Sequence, residues 1–468
     1  MAQMPVKKLL LNMGTPMMIS MLGQALYNVV DTFFVSHIPD TAAVADMGDK
    51  AINALTLAFP IQMLIVALGV GTGVGINATV AKNLGQGDRK QASRTAGNAV
   101  FLALCYFAAM LLFGLTCSRA FIGSQTGDAI IADMGTAYLS IITIFSLGTL
   151  GYMCIEKVVM GTGQTTITMI CQLADALTNI ILDPIMIYGW LGCPAMGVAG
   201  AAWATVIGQF VSLIVIVVFC FKKDMGIGGM FRNLKPDGKT LSAIYSIGLP
   251  AIVMQVLTPI MTYAMNLILG AISVSAVTAY GVYYKLQNFI FMPGFGLNNA
   301  SIPIISFNCG AGDRGRVAQT IRCGLIYVSC LMLAGIVLLQ VFAGQVVGMF
   351  SVSAASSQLC VLALRIITCG FLFAGANIIL QGVCQALGKG TYSLIISLLR
   401  FIVLALPLAW ALSMLPIAAD VIWAALPIAE AGACAAAVIL TKKAYKAAMR
   451  CEGSALMISG AVLMSSLR

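Results

Sequence analysis

Residues 83–89 read Asn-Leu-Gly-Gln-Gly-Asp-Arg, and residues 308–314 read Asn-Cys-Gly-Ala-Gly-Asp-Arg. Five of the seven positions are identical at a spacing of 225, and each copy closes a long apolar run. Working outward in the same register, Gln62 matches Gln287, Gly69 matches Gly294 and Gly71 matches Gly296. Gly163 matches Gly388, and Thr166 matches Thr391. Gly14-Thr-Pro16 and Gly248-Leu-Pro250 match at a spacing of 234. The nine extra residues of the first half therefore fall in its first outer loop, where insertions are tolerated. The chain is a duplicated unit.

Composition says where that unit lives. Of 468 residues, 60% are hydrophobic and 9% charged, and mean hydropathy is +0.98. A soluble domain carries about 25% charged residues, so this chain lacks the polar surface to cover a soluble particle. Its apolar runs, each of about 20 residues or more, are long enough to cross roughly 30 Å of hydrocarbon. They show no strand-like alternation, so helices must satisfy the backbone. The expected spans in the first half are Gly14–His37, Ile52–Lys82, Ala92–Ser118, Ile130–Met160, Thr165–Leu191 and Gly197–Phe221. In the second half they are Leu241–Ile272, Ala276–Asn308, Val317–Val347, Gln358–Leu387, Tyr392–Leu415 and Val421–Lys442.

The expected fold class is thus all-α integral membrane, with twelve transmembrane helices in two six-helix lobes. Six crossings per half give both halves one orientation, so a pseudo-two-fold axis along the membrane normal should relate them, with the working cavity between. The expected division is an N-terminal lobe at 1–221, a cytoplasmic linker at 222–240, a C-terminal lobe at 241–446 and a cytoplasmic tail at 447–468.

The net charge of +10 sits in short loops rather than in a basic patch, so nucleic acid is not an expected partner. Lys7 and Lys8 precede the first span, and no small-residue cleavage site marks a signal peptide after them. Lys82, Arg89, Lys90 and Arg94 fill the second loop, and Lys222, Lys223, Arg232, Lys235 and Lys239 the sixth. Arg314, Arg316 and Arg322 follow in the eighth, Lys389 in the tenth, and Lys442, Lys443, Lys446 and Arg450 after the last span. The alternate loops hold only Lys50 and Arg119 beside Asp40, Asp46, Asp49, Asp128 and Asp420. Positive charge stays inside, so both termini should face the cytoplasm of a cell inner membrane.

Other classes drop out on chemistry. Fourteen scattered cysteines contain no Cys-x-x-Cys, which argues against a disulfide framework or a zinc site. With His37 as the single histidine, neither a multi-histidine metal centre nor a nucleophile–base constellation can be built, so no enzyme and no cofactor are expected. Gly382–Thr391 resembles a phosphate loop but is one residue too long and lacks Ser or Thr directly after Lys389. Without a nucleotide-binding domain, any pumping must draw on an ion gradient.

Charges inside the spans each need a reason, since one costs about 2.5–3.5 kcal/mol on the insertion scale. Gln24, Asn28 and Asp31 form one polar stripe in the first helix, and Asp175, Asn179 and Asp183 form another in the fifth. Pro184 follows at once and disturbs the local backbone. Asp31 and Asp183 together suggest a buried carboxylate pair, either protonatable or suited to a small hard cation. Their repeat counterparts are Met265 and Leu408, so the acidic chemistry belongs to the first half. Asp175 has Arg400 as counterpart and is open to pairing with it; Glu156 and Lys157 read as a local ion pair or interfacial anchor. In the second half Tyr283, Lys285, Gln287 and Phe291 suit a large amphipathic ligand through stacking and cation–π contacts, or simple helix packing; with Gln24 and Asn28 they are the expected substrate-cavity residues.

Taken together, these residues resemble the multidrug and toxic compound extrusion (MATE) family over roughly residues 10–445. The segments that carry the resemblance are Tyr27–Val35, the paired Gly-x-Gly-Asp-Arg loops, Asn179–Pro184 and Gly197–Thr205. Glu156-Lys157, Tyr283–Gln287 and Met292–Asn299 resemble its MepA-like branch. The resemblance implies antiport of Na⁺ or H⁺ against organic, often cationic, amphipathic small molecules. Carried over motif by motif, it places the proton or Na⁺ site at Asp31, Asn179, Asp183 and Thr205, with Asp175 outside the family pattern. A monomer in the lipid bilayer is expected. The rival readings are a lipid-linked saccharide flippase of related architecture and, from another class, an ion channel.

Overall fold

A computed structural model of the chain describes residues 2–40, 46–222, 227, 230, 234–350 and 353–466, with side chains for all but 354, 355 and 450–466. Lys223, Arg232 and Leu467, which the sequence assigns to the linker and tail, lie outside the described residues, as do 41–45 of the first outer loop. Among the described residues there is helix and no strand. In order the first-half helices are α1 (Val6–Ser36), α2 (Met47–Gly85), α3 (Arg89–Thr116), α4 (Ser118–Gly123), α5 (Ala129–Ile144), α6 (Leu147–Gly161), α7 (Thr165–Tyr188) and α8 (Val198–Lys222). The rest are α9 (Gly238–Gly270), α10 (Val274–Gly310), α11 (Arg314–Val341), α12 (Ala343–Gly348), α13 (Ala354–Thr368), α14 (Phe371–Ala386), α15 (Gly390–Leu398), α16 (Leu406–Ser413), α17 (Ala418–Val421) and α18 (Ala425–Ser466).

These helices account for all twelve expected crossings. Among the described residues, nine helical spans are long and apolar enough to cross a bilayer singly. Two more are bent pairs: α5 with α6 turns by 44°, and α13 from Ser356 onward with α14 by 51°. The twelfth, α10, has 37 residues; Lys285, Gln287, Asn288, Asn298 and Asn299 lower its hydropathy. Most helices overrun the expected bounds because helical hydrogen bonding runs on into their polar ends. The spans expected at Ile130–Met160 and Gln358–Leu387 are broken rather than straight, and Tyr392–Leu415 contains a π-helical segment at Leu399–Ala405.

Two compact units emerge, each of which holds its own core. One gathers Ile19–Val80 and Arg89–Ile244; the other gathers Met1–Met18, Ala81–Asp88 and Tyr245–Arg468. In the first unit Asp128 caps α5, accepting from the backbone of Ile130 at 2.8 Å and Ile131 at 3.3 Å. Those backbone donors, with Lys50 at 3.5 Å, hold its carboxyl below the usual range. Before α9, Asp237 is likewise held down by its hydrogen bonds from Thr240, while its own N–H donates to Asn98 at 3.0 Å.

The repeated loop acquires a physical meaning in the second unit. The ends of α2 and α10 pass so closely that a Cβ at Gly85 would fall on the Phe307 carbonyl oxygen, and one at Gly310 on that of Lys82. Each copy of the motif thus lends its first glycine to the same crossing. The second glycines, Gly87 at φ 79° and Gly312 at φ 74°, take the left-handed conformation that turns the chain. Asp313 then caps α11 by accepting from the Arg316 backbone at 2.9 Å.

Candidate functional site

In the unit made of residues 19–80 and 89–244, α7 and α8 are drawn together by small residues. Gly200, Ala204 and Gly208 recur every four positions, all buried, and a Cβ at Gly208 would lie 2.5 Å from Asp175 Oδ1. Such a stripe lets two backbones approach where water gives no hydrophobic drive. α7 continues unbroken through Pro184, which has no N–H to offer the Ile180 carbonyl, and ends at Gly189 in the left-handed region.

This packing gathers Asp31, Asn179, Asp183 and Thr205. Asp183 is fully buried, Asn179 nearly so, and Thr205 is 6% exposed. With the Asn179 amide turned to satisfy both ends, its nitrogen donates to Asp183 Oδ2 at 2.8 Å. Its oxygen then accepts from the Thr205 hydroxyl and backbone N–H, both at 3.2 Å. Asp31, half-buried on α1, lies within electrostatic reach of Asp183. Tyr27 sits near Asp31 with its hydroxyl toward Thr205, and Tyr138 faces the same pair of acids.

The acids are under-satisfied. Asp31 Oδ1 and Asp183 Oδ1 are buried and find no hydrogen-bond partner among the described residues, which costs about 1–3 kcal/mol each. Among the described residues no Lys, Arg or His is paired with Asp31, Asp175 or Asp183. Nor do three His, Cys, Asp or Glu side chains converge anywhere among them as a metal cage would require. The arrangement is two carboxylates, an amide and hydroxyls, able to receive a proton or a small monovalent cation.

Asp175 stands two turns along α7 from Asp183 with its carboxylate over Gly208. Gly208→Ala is expected to evict it and lower the melting stability of the purified protein by about 1–3 kcal/mol. Asp175→Ala in the same chain should restore most of that loss; no restoration would show that the clash lies elsewhere. Nearby, Glu156 and Lys157 form an ion pair at 3.4 Å, and Gln172 donates to Glu156 at 3.0 Å. Both charges are buried, so the pair is no interfacial anchor. Gln24 and Asn28 share the α1 stripe with Asp31 but are exposed.

In the other unit Tyr283, Gln287 and Phe291, four residues apart on α10, line a cavity of about 120 Å³. Lys285 does not join them: it falls on another face of the helix and is exposed. Arg400 is paired within its own unit, its Nε donating to Glu430 Oε1 at 2.6 Å. Glu430, absent from the expected site residues, also accepts from Asn377 Nδ2 at 2.9 Å. Two signals pointed to it: a lone acid in the apolar run Val421–Lys442, and a place 225 residues after Thr205. The repeat extends to hydrogen bonds, since Gln172–Glu156 has its counterpart in Ser397–Gln381, also 3.0 Å.

A duplicated helical membrane protein with buried, unneutralised acids has the build of a transporter. The MatE family model matches residues 16–185 and 250–411, well over half the chain. The chain belongs to the MatE family, whose members are transporters rather than enzymes. Multidrug export protein MepA from Staphylococcus aureus (strain MRSA252) is 25% identical over 439 residues, 93% of each chain. MepA from Staphylococcus saprophyticus is 24% identical over 437 residues, again 93% of each. Among solved structures, an outward-facing multidrug resistance MATE family transporter of the MOP superfamily superposes with a TM-score of 0.88. It is 23% identical, covering 96% of this chain and 98% of its own. A MOP superfamily transporter from Pyrococcus furiosus, described with a reverse-polarity binding pocket, gives a TM-score of 0.85 at 21% identity, covering 95% and 97%. These likenesses show the twelve-helix membrane fold.

Proposed function

We propose that this chain is a multidrug efflux antiporter of the plasma membrane, exporting organic, cationic or amphipathic compounds in exchange for Na⁺ or H⁺. Its relatives are named as multidrug export proteins, and the carrying observation is the pair Asp31 and Asp183, each with a buried oxygen that no described residue bonds. A proton or Na⁺ arriving there would satisfy those oxygens through its own charge, with Asn179 and Thr205 holding the second acid in place. Asp175, two turns along α7, adds a further acid on the same helix face. In this reading, occupancy of the acids biases alternating access between the lobes at 1–221 and 241–446. Both termini face the cytoplasm, and one chain suffices. The membrane potential supplies about 2.3 kcal/mol per charge per 100 mV, enough to drive such a bias.

The test is purified protein in liposomes under separately imposed Na⁺ and proton gradients, with a panel of dyes. One gradient should drive dye movement, and Asp31→Asn should fold normally while losing at least tenfold of the driven rate. Undiminished coupled transport in that variant would remove the acids from the mechanism. Currents far above carrier turnover would replace the antiporter with a channel.

A further inference from the structure

The cavity lined by Tyr283 and Phe291 has walls whose chemistry the acidic pair does not use. Phe291 and Phe371 meet edge to face at 4.9 Å, and Phe401 lies on another side. An apolar cavity of about 150 Å³ holds one benzene; this one, at about 120 Å³, is matched to a single ring.

Its polar edge is specific. Glu430 is already engaged at both oxygens, by Arg400 Nε and Nη2 at Oε1 and by Asn377 at Oε2. Arg400 has five N–H donors, and these contacts take only the edge that faces Glu430. Arg400 is also one of the residues that line the cavity, and its guanidinium carbon stacks 4.8 Å from the Phe401 centroid, which orients the plane of the other donors. The π-helical turn Leu399–Ala405 carries it there, a distortion often found at functional positions. With the acid answered by its own guanidinium, the cavity has little to attract a cation and N–H donors to offer an oxygen.

We infer that this cavity is a binding site for one aromatic ring bearing a carbonyl-type oxygen acceptor, the ring held among the aromatic walls and the oxygen on Arg400. The site deepens the export reading by naming a chemical feature of its cargo, and rests on that reading only for the ligand being cargo. Binding itself stands apart from transport.

The experiment uses the full chain in lipid nanodiscs, with 4-fluorobenzamide as probe, followed by fluorine NMR and competed with unlabelled benzamide. Saturable binding is expected, with 4-fluorobenzylammonium failing to bind. Ala374→Leu fills the cavity from α14 and Thr262→Leu fills it from α9; whichever melts like the parent should bind at least tenfold more weakly. Absence of saturable binding, binding unchanged in a folded filling variant, or preference for the ammonium probe would each overturn the site. Dye transport that persists while benzamide binding is absent would refute the site alone. Lost ion coupling with binding intact would refute the export reading and leave the site standing.

Discussion

Glu430→Ala is expected to destabilise the protein by about 3–5 kcal/mol, because it leaves Arg400 buried without its counter-charge. Arg400 is only 8% exposed, and Asn377, fully buried, would lose its bond to the same carboxylate. The helices that carry the pair, α18 and the π segment, pack directly on one another, so the orphaned guanidinium is left facing only the small cavity it lines. Purified Glu430→Ala should melt far below the parent protein. Replacing both residues by Leu should recover most of the loss, since removing both charges avoids the unpaired one. A single variant that melts like the parent would show that the pair contributes nothing to the fold of this unit.

The other large effect concerns the crossing of α2 and α10. Gly310→Ala puts a methyl group on the Lys82 carbonyl oxygen, a backbone atom that no rotamer change can move. The helices must part, which costs about 1–3 kcal/mol or more for an over-packed contact. Gly85→Ala does the same against Phe307, and because both changes open one crossing, their effects should combine to less than the sum. Thermal melting of the two single variants and the double variant measures this. Full additivity would mean that the two glycines serve separate contacts.

Much of the frame could be read from residues, and the limits have physical causes. The seven-residue repeat announced a duplication, but its purpose depends on how near Gly85 comes to Phe307, which no spacing along the chain encodes. Every long apolar run became a crossing, yet the bends after Ile144 and Thr368 carry no proline to mark them. Helical spacing puts Asp175, Asn179 and Asp183 on one face, and the fold brings the Asp183 end of that face within electrostatic reach of Asp31. Thr205 had no such mark, because a single hydroxyl in an apolar helix looks like any other; the family resemblance supplied it. Lys285 was grouped with Tyr283 and Gln287 by nearness in sequence, although a two-residue offset turns it to another side of α10. Glu430 was passed over because the guanidinium that neutralises it lies thirty residues away on another helix.

Duplication usually invites the assumption that both copies keep the same job. Here position 205 and its counterpart 430 hold a hydroxyl and an acid, while 175 and 400 hold an acid and a base. The second copy has settled its charges internally, Glu430 against Arg400, and so has little reason to respond to a passing ion. The first copy has left its debts open at Asp31 and Asp183. On the proposed reading, an inherited symmetry of backbone becomes an asymmetry of labour, with sensing of the gradient assigned to one half and cargo binding to the other.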